Sequence, residues 1–272
     1  DGSRAYVSLN GVGGIAVVDT VLYRQIDVPK MIDGPDGEPI EDPNINHIEI
    51  PGARIGEVFV DRNDKLLYAT DTATGTLYLV GIDPDDPSTY HRVVRSVALD
   101  LDWPITGATF TPDFKQIVVT QYTDGGIGPT GVTQAQGRIA IFNASVFSNF
   151  VEQVKPIFVA GGIDGGNGVT LRKPVSVQSR IATENNRTKV VVLDSNHVVG
   201  AGSYNGTIHV LARDETGAWF AEKEVAFNFP EDEDFDSGDD PFAVADPSDI
   251  VFSQDGKTAF VIGQRRFDER LP

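Results

Sequence analysis

SRAYVSLNGVGGIAVVDT, residues Ser3 to Thr20, alternates apolar side chains with others through Ala5, Val7 and Leu9. It turns at Gly11, Gly13 and Gly14, then runs apolar again through Ile15, Val17 and Val18 before closing on Asp19-Thr20. Period-two alternation on both sides of a glycine cluster predicts a β-hairpin. The same pattern recurs. Lys65 to Asp83 reads KLLYATDTATGTLYLVGID, and KQIVVTQ from Lys115 pairs with GRIAIFNAS from Gly137 across a glycine-rich insert. KVVVLDSN from Lys189 and GTIHVLARD from Gly206 make a fourth copy, and KTAFVIG from Lys257 opens a fifth.

Aligned on Tyr6, Tyr68, Val118, Val192 and Phe260, the copies are separated by 62, 50, 74 and 68 residues. A four-stranded propeller blade needs about 40–45 residues, so the surplus belongs in loops. The full copies each supply four strand-like runs, the first lacks its opening run, and the fifth stops after its second. Short alternating strands in such a repeat predict an all-β fold, a β-propeller of four-stranded antiparallel blades. The expected blades are 1–28, 53–100, 105–160, 174–228 and 247–265, about four in all. They form a single propeller over 1–272 with partial blades at both ends, read as part of a larger ring. A closed ring of four or five blades is the rival count. The glycines that open each third strand (Gly14, Gly75, Gly137 and Gly206) are expected to take φ above zero in tight turns.

RAYVSLNGVGGIAVVDT resembles the repeat of YVTN-type β-propellers, the family of YncE-like and surface-layer-type proteins. Arg4, Tyr6, Val7, Asn10, Gly14, Val17, Val18, Asp19 and Thr20 carry the match. Lys65, Tyr68, Gly75, Val80 and Asp83 match in part, and Pro112-Asp113 and Ser253–Lys257 resemble the family's Ser-Pro-Asp-Gly-Lys turn. The resemblance implies architecture, and with it a binding or scaffolding role more often than catalysis.

In a four-stranded meander the long inserts Pro29–Gly52, Tyr122–Gln136, Gly161–Lys173, Ser195–Asn205 and Phe229–Pro247 all fall on one rim. One-sided elaboration of a rigid scaffold points to function. Asp33–Glu49 holds six acids and Glu231–Asp246 holds eight, with no Lys or Arg in either, out of 40 acids in the chain.

The 272 residues carry a formal charge of −18 and no cysteine. That charge disfavours nucleic acid and anionic lipid and favours cationic partners or divalent ions. The missing cysteines exclude disulfides and thiolate chemistry. No apolar run approaches the roughly 20 residues of a membrane helix.

Asp232, Asp234, Asp236 and Asp240 have an oxygen-rich spacing that suits calcium, the one cofactor expected. Ser237 stands where the cage of calcium-binding propeller blades has glycine, and Ala243 where an EF-hand has glutamate. Asp33–Glu38 is a weaker metal candidate. Gly125–Gly128 and Gly161–Gly166 read as rim turns, because no helix follows them to cradle a phosphate. His47 alone among four histidines sits in a plausible site context. Asn143, Asn186 and Asn205 head glycosylation sequons that also sit at turns. Trp103 and Trp219 are expected between blades.

The reading is a non-catalytic, secreted or cell-surface propeller whose acidic loop-rich face binds a protein or glycan partner or assembles with further propeller segments, with calcium as a stabiliser. Neither nucleic-acid binding nor membrane insertion is expected. The location is extracellular or cell-surface, with the periplasm second. The alternative is a hydrolase or oxidoreductase of lactonase or sugar-dehydrogenase type with a metal or cofactor at the central axis. Glu57, Asp61 and Asp249 are the few polar residues that innermost strands offer it.

Overall fold

The computed structural model describes residues 2–42, 44–127, 133–148, 153–162, 165–182, 186–195, 206–226, 245–253, 255 and 257–265. The chain forms two compact units, Asp1–Ile105 with Asn149–Lys155, and Thr106–Ser148 with Pro156–Pro272. Nearly all of the described regular structure is strand.

In the first unit, β1 (Arg4–Leu9), β2 (Gly14–Asp19) and β3 (Arg24–Ile26) form an antiparallel meander. The insert that follows is itself ordered. It holds a small hairpin of β4 (Met31–Asp33) and β5 (Pro39–Glu41), then β6 (Ile48–Glu49), which returns to pair with β2 at Gly14 and Ile15. The next sheet is β7 (Ile55–Val60), β8 (Leu66–Asp71), β9 (Thr76–Gly81) and β10 (Val93–Leu99) in sequential order.

In the second unit the third sheet takes β11 (Ile105–Phe110), β12 (Gln116–Ile127) and β13 (Thr133–Asn143). β14 (Gln153–Val154) belongs to the first unit, where it pairs in parallel with β10, and β15 (Phe158–Gly161) completes the third sheet. The fourth sheet is β16 (Pro174–Ile181), β17 (Thr188–Asp194), β18 (Thr207–Arg213) and β19 (Trp219–Ala226). A two-stranded fifth sheet follows, β20 (Ala245–Phe252) with β21 (Ala259–Arg265).

Alternation along the strands sends apolar side chains into layers shared by neighbouring sheets. Tyr6, Ile15 and Val17 pack with Leu67, Ala69 and Val80 between the first two sheets. Val118, Ile139 and Ile141 pack with Val190, Val192 and Trp219 between the third and fourth. Val191 and Leu193 pack with Ile250 between the fourth and fifth. Trp219 therefore lies between sheets as expected.

Repeated polar residues hold the repeated backbone. Asp61, Asp113 and Asp255 accept hydrogen bonds from the amides of Lys65, Lys115 and Lys257 in the turn between the first two strands of their sheets. The Thr70 hydroxyl bridges the bulged first strand at Glu57, and Thr120 donates to the Gly107 carbonyl. Asp71 accepts from the amide of Arg54 at 3.3 Å, and Asp194 accepts from those of Arg172 and Lys173 at 2.7 Å each, just before β16. These carboxylates are fully buried clamps on the entry to a sheet.

Asp194 standing for Asp71 sets the register of the fourth copy. Val191, not Val192, is the counterpart of Tyr68, and it faces the following sheet as Val118 does. The sequence alignment is one residue out there, because the uniform run Val190–Val192 offers no landmark.

The glycine expectation holds at Gly75, which has φ +70°. Gly14 and Gly137 have no positive φ and are needed for space. A Cβ at Gly137 would lie 2.2 Å from the Pro174 ring, and one at Gly14 would lie 2.1 Å from the His47 imidazole. The described residues of Tyr122–Gln136 are strand where a loop was expected. The β12–β13 ladder runs on past a bulge to Ile127 and Thr133, with Gly126 inside the strand.

Candidate functional site

The ordered insert of the first unit builds a cleft of about 520 Å³. Its walls are the strand β3 and its continuation (Gln25, Asp27, Pro29) and the returning segment Glu41, Asp42, Ile45 and Asn46. The two walls are tied by backbone: the Asp42 amide donates to the Lys30 carbonyl at 2.8 Å and the Val28 amide to Asn46 at 3.4 Å. Gln25 Nε2 donates to the Asn46 carbonyl at 3.0 Å. Asp42 Oδ1 accepts from both the amide and Nδ2 of Asn44, at 2.9 and 3.0 Å. Lys30, next to Pro29 in the chain, is engaged with Glu49 at 2.5 Å and does not line the cleft. Among the described residues, three carboxylates, two carboxamides and no cationic side chain therefore face one cleft.

Such a lining has acceptors for an ammonium or guanidinium group and apolar contact from Pro29 and Ile45 for its stem. Among the described residues no three His, Asp or Glu side chains converge closely enough to hold a metal ion. Asp33, Asp36 and Glu38 belong to the β4–β5 turn, closed by hydrogen bonds of 2.8 and 2.9 Å between Gly34 and its neighbours Glu38 and Gly37. His47 packs against Gly14 outside the cleft lining. Asp232, Asp234, Asp236 and Asp240 lie outside the described residues, as do His197 and Asn205. Gln25 and Asp27 were not singled out from sequence; their signal is the polar alternation Gln25-Ile26-Asp27 leading out of a strand.

In the second unit, the long segments meet at one end of their sheets. The Gly137 amide donates to the Leu171 carbonyl at 2.9 Å, and the Gly162 amide to Gly137 at 2.6 Å. The Lys173 ammonium lies 5.5 Å from the Tyr122 ring centroid. Burial pushes the Tyr122 phenol well above its ordinary pKa, and its hydrogen bond to Asp124 and the charges of Asp124 and Asp194 push further. His209, buried on β18, is held below the ordinary imidazole value by burial, against the opposing pull of Asp194 and Glu224. Among the described residues its Nε2 has no hydrogen-bond partner.

Of the three first-strand residues named for an axial site, two lie in the first unit and one in the second. Asp61 is a turn cap and Glu57 is exposed on β7. Asp249 accepts a hydrogen bond from the Ser176 hydroxyl at 2.7 Å, joining β20 to β16, a pairing that sequence spacing could not reveal.

The sheets and their order define the class: an all-β protein of β-propeller architecture, as are the solved structures it resembles. Among them is the hydrazine synthase of Kuenenia stuttgartiensis, at TM-score 0.58 and 10% identity, over 96% of this chain and 58% of that one. A Bacteroides uniformis protein described as a candidate 6-phosphogluconolactonase matches at TM-score 0.51 and 11% identity, over 96% of this chain and 61% of that one. The chain thus spans less than two thirds of either structure's length. No protein-family model matches the sequence, and no curated protein matches it. Among the described residues no helix is long and apolar enough to cross a membrane.

Proposed function

We propose that this chain is a non-catalytic propeller, of the YVTN type its first repeat resembles, that binds a partner through its acidic inserts. The observation that carries the reading is the cleft of the first unit, where Asp27, Glu41 and Asp42 stand with no cationic side chain among them. The partner it suits is a protein presenting Lys or Arg side chains. A glycan would use the same carboxylates and carboxamides as hydroxyl acceptors. The net charge of −18 adds long-range attraction for basic surfaces. The location proposed is extracellular or cell-surface, with the periplasm second, and calcium at Asp232, Asp234, Asp236 and Asp240 is proposed as a stabiliser. The blades 1–28, 53–100, 105–160, 174–228 and 247–265 are proposed to belong to one propeller.

Titration of the chain with a lysine-rich peptide, by calorimetry at low and high salt, tests the reading. Salt-sensitive binding that weakens in the Asp27→Asn/Glu41→Gln variant is the expected result. Binding unchanged in that variant, or no binding at low salt, overturns it.

A catalytic reading draws on the Bacteroides uniformis neighbour, described as a candidate 6-phosphogluconolactonase. Turnover in a lactone-hydrolysis screen with divalent metals, lost in Asp249→Asn, would establish that reading instead.

A further inference from the structure

We propose that Asn10 is a site of spontaneous modification, where the Gly11 amide attacks the side chain and converts it through a succinimide to aspartate and isoaspartate. The chemically identical pair Asn167-Gly168 is protected from the same reaction by its hydrogen bonds. The proposal rests on local geometry and not on the acidic cleft.

Asparagine is followed by glycine three times, at Asn10, Asn167 and Asn205. Asn205 lies outside the described residues. The other two pairs share one chemistry. The carboxamide carbon and the attacking backbone nitrogen belong to adjacent residues, so the reaction is intramolecular. Glycine puts no side chain in its way and leaves the backbone free to turn.

Asn10 and Gly11 are the central pair of the turn between β1 and β2, which the Val12 amide closes by donating to the Leu9 carbonyl at 3.2 Å. Both are exposed, neither has a positive φ, and a Cβ placed on Gly11 would meet nothing within 4 Å. Among the described residues neither the Asn10 carboxamide nor the Gly11 amide has a hydrogen-bond partner. Electrophile and nucleophile are therefore free to reach one another.

Asn167 is exposed as well, so exposure does not separate the two. Its Nδ2 donates to the Val159 carbonyl at 2.6 Å. The Gly168 amide, which would be the nucleophile, donates to the Gly165 carbonyl at 2.9 Å. Asn167 itself is held at φ +56°. Attack there has to wait for a local opening that breaks both bonds.

At Asn10 the Gly11 nitrogen gives its proton to hydroxide and bonds to Cγ. The Cγ–Nδ2 bond breaks and ammonia leaves. Water then opens the imide at either carbonyl. One opening gives aspartate; the other routes the main chain through the former side chain and adds a methylene. One water enters, one ammonia leaves, and nothing is oxidised or reduced. Either product adds a carboxylate at the turn. Isoaspartate also lengthens the main chain close to Gly13, whose carbonyl accepts the Ile50 amide at 2.7 Å.

Mass spectrometry of the 272-residue chain aged in mildly alkaline buffer reads the site, against an unaged sample digested alongside. Trypsin releases Ala5–Arg24, in which Asn10 is the only carboxamide, and fragmentation places any change in the peptide that holds Asn167. In the folded chain Asn10 should convert at least about tenfold faster than Asn167, because Asn167 reacts only from an opened state. In urea the two rates should come together. Gly11→Ala should slow conversion at Asn10 severalfold with the fold intact by circular dichroism. Conversion at Asn167 as fast as at Asn10 in the folded chain overturns the proposal. So does an Asn10 that stays intact in the folded chain, a gap that persists undiminished in urea, or a folded Gly11→Ala variant that converts as fast as the parent.

Discussion

Arg213 Nη2 lies 2.7 Å from Asp113 Oδ2 and so ties β18 of the fourth sheet to the β11–β12 turn of the third. The same guanidinium donates to Thr188 Oγ1 at 3.1 Å and to Gln116 Oε1 at 3.2 Å, and it lies 5.9 Å from the Trp219 ring centroid. Trp219 Nε1 donates to that Gln116 oxygen as well, at 3.2 Å. A polar staple thus crosses the apolar seam between two sheets.

Arg213→Ala removes one hydrogen-bond donor from each of Asp113, Thr188 and Gln116 at a partly buried seam, and should destabilise the chain by about 2 kcal/mol, within the usual range for a hydrogen bond to a charged group. Urea unfolding of the second unit's tryptophan signal reads this. Arg213→Lys should recover only part of it, because an ammonium cannot reach three acceptors in the guanidinium's fork.

Asp113 adds a pH dependence. Burial raises its pKa, but hydrogen bonds from Thr111, Arg213 and the Lys115 amide outweigh that and hold it below the usual carboxylate value. A depressed folded pKa gives stability that is present above the unfolded value near 3.8 and is lost as pH falls through the folded one. Asp113→Asn should flatten the stability curve in that acid window, measured by urea titration at stepped pH.

His91 acts in a higher window. It stacks on Tyr90 at 3.9 Å between centroids, and burial, helped by the charge of Arg4, lowers it from 6.5 to about 4. Between those values the unfolded chain binds the proton and the folded chain does not, so stability is lost as pH falls from about 6.5 toward 4. Thermal melts at pH 7, 5.5 and 4.5 should decline, and His91→Asn, which tolerates the φ of +56° there, should remove part of the slope.

Gly137→Ala should be costly although the glycine has no unusual φ. Its Cβ would sit 2.2 Å from Pro174 Cδ and 3.1 Å from Leu171 Cβ, and overpacking of this kind costs roughly 1–3 kcal/mol. Gly11→Ala, with open space around it, should be near neutral. Chemical denaturation of the two variants side by side checks the contrast.

Calcium is tested by melting in excess calcium and in excess chelator. A rise in melting temperature with calcium that disappears in Asp234→Asn is the outcome expected of a site at Asp232, Asp234, Asp236 and Asp240. Identical melts in both conditions would remove it.

The alternation around Gly11–Gly14 and its four echoes determined the all-β class, the strand order and the positions of most strands, because burial on a pleated sheet leaves a period-two imprint on a single strand. The same reading put Trp219 between sheets. It could not tell which glycines were needed for φ and which for room, since the Pro174 ring that crowds Gly137 is 37 residues away in the chain. Nor could it register the fourth copy, where three valines in a row look alike and only the buried clamp of Asp194 marks the place.

The candidate site divides along the same line. That the 29–52 insert is acidic is a matter of composition. That Glu41 and Asp42 face Asp27 across a cleft, while Lys30 is drawn off to Glu49, depends on β6 returning to pair with Gly14 and Ile15. Local pattern decides which backbone a segment adopts; only closure of the chain on itself decides which side chains meet.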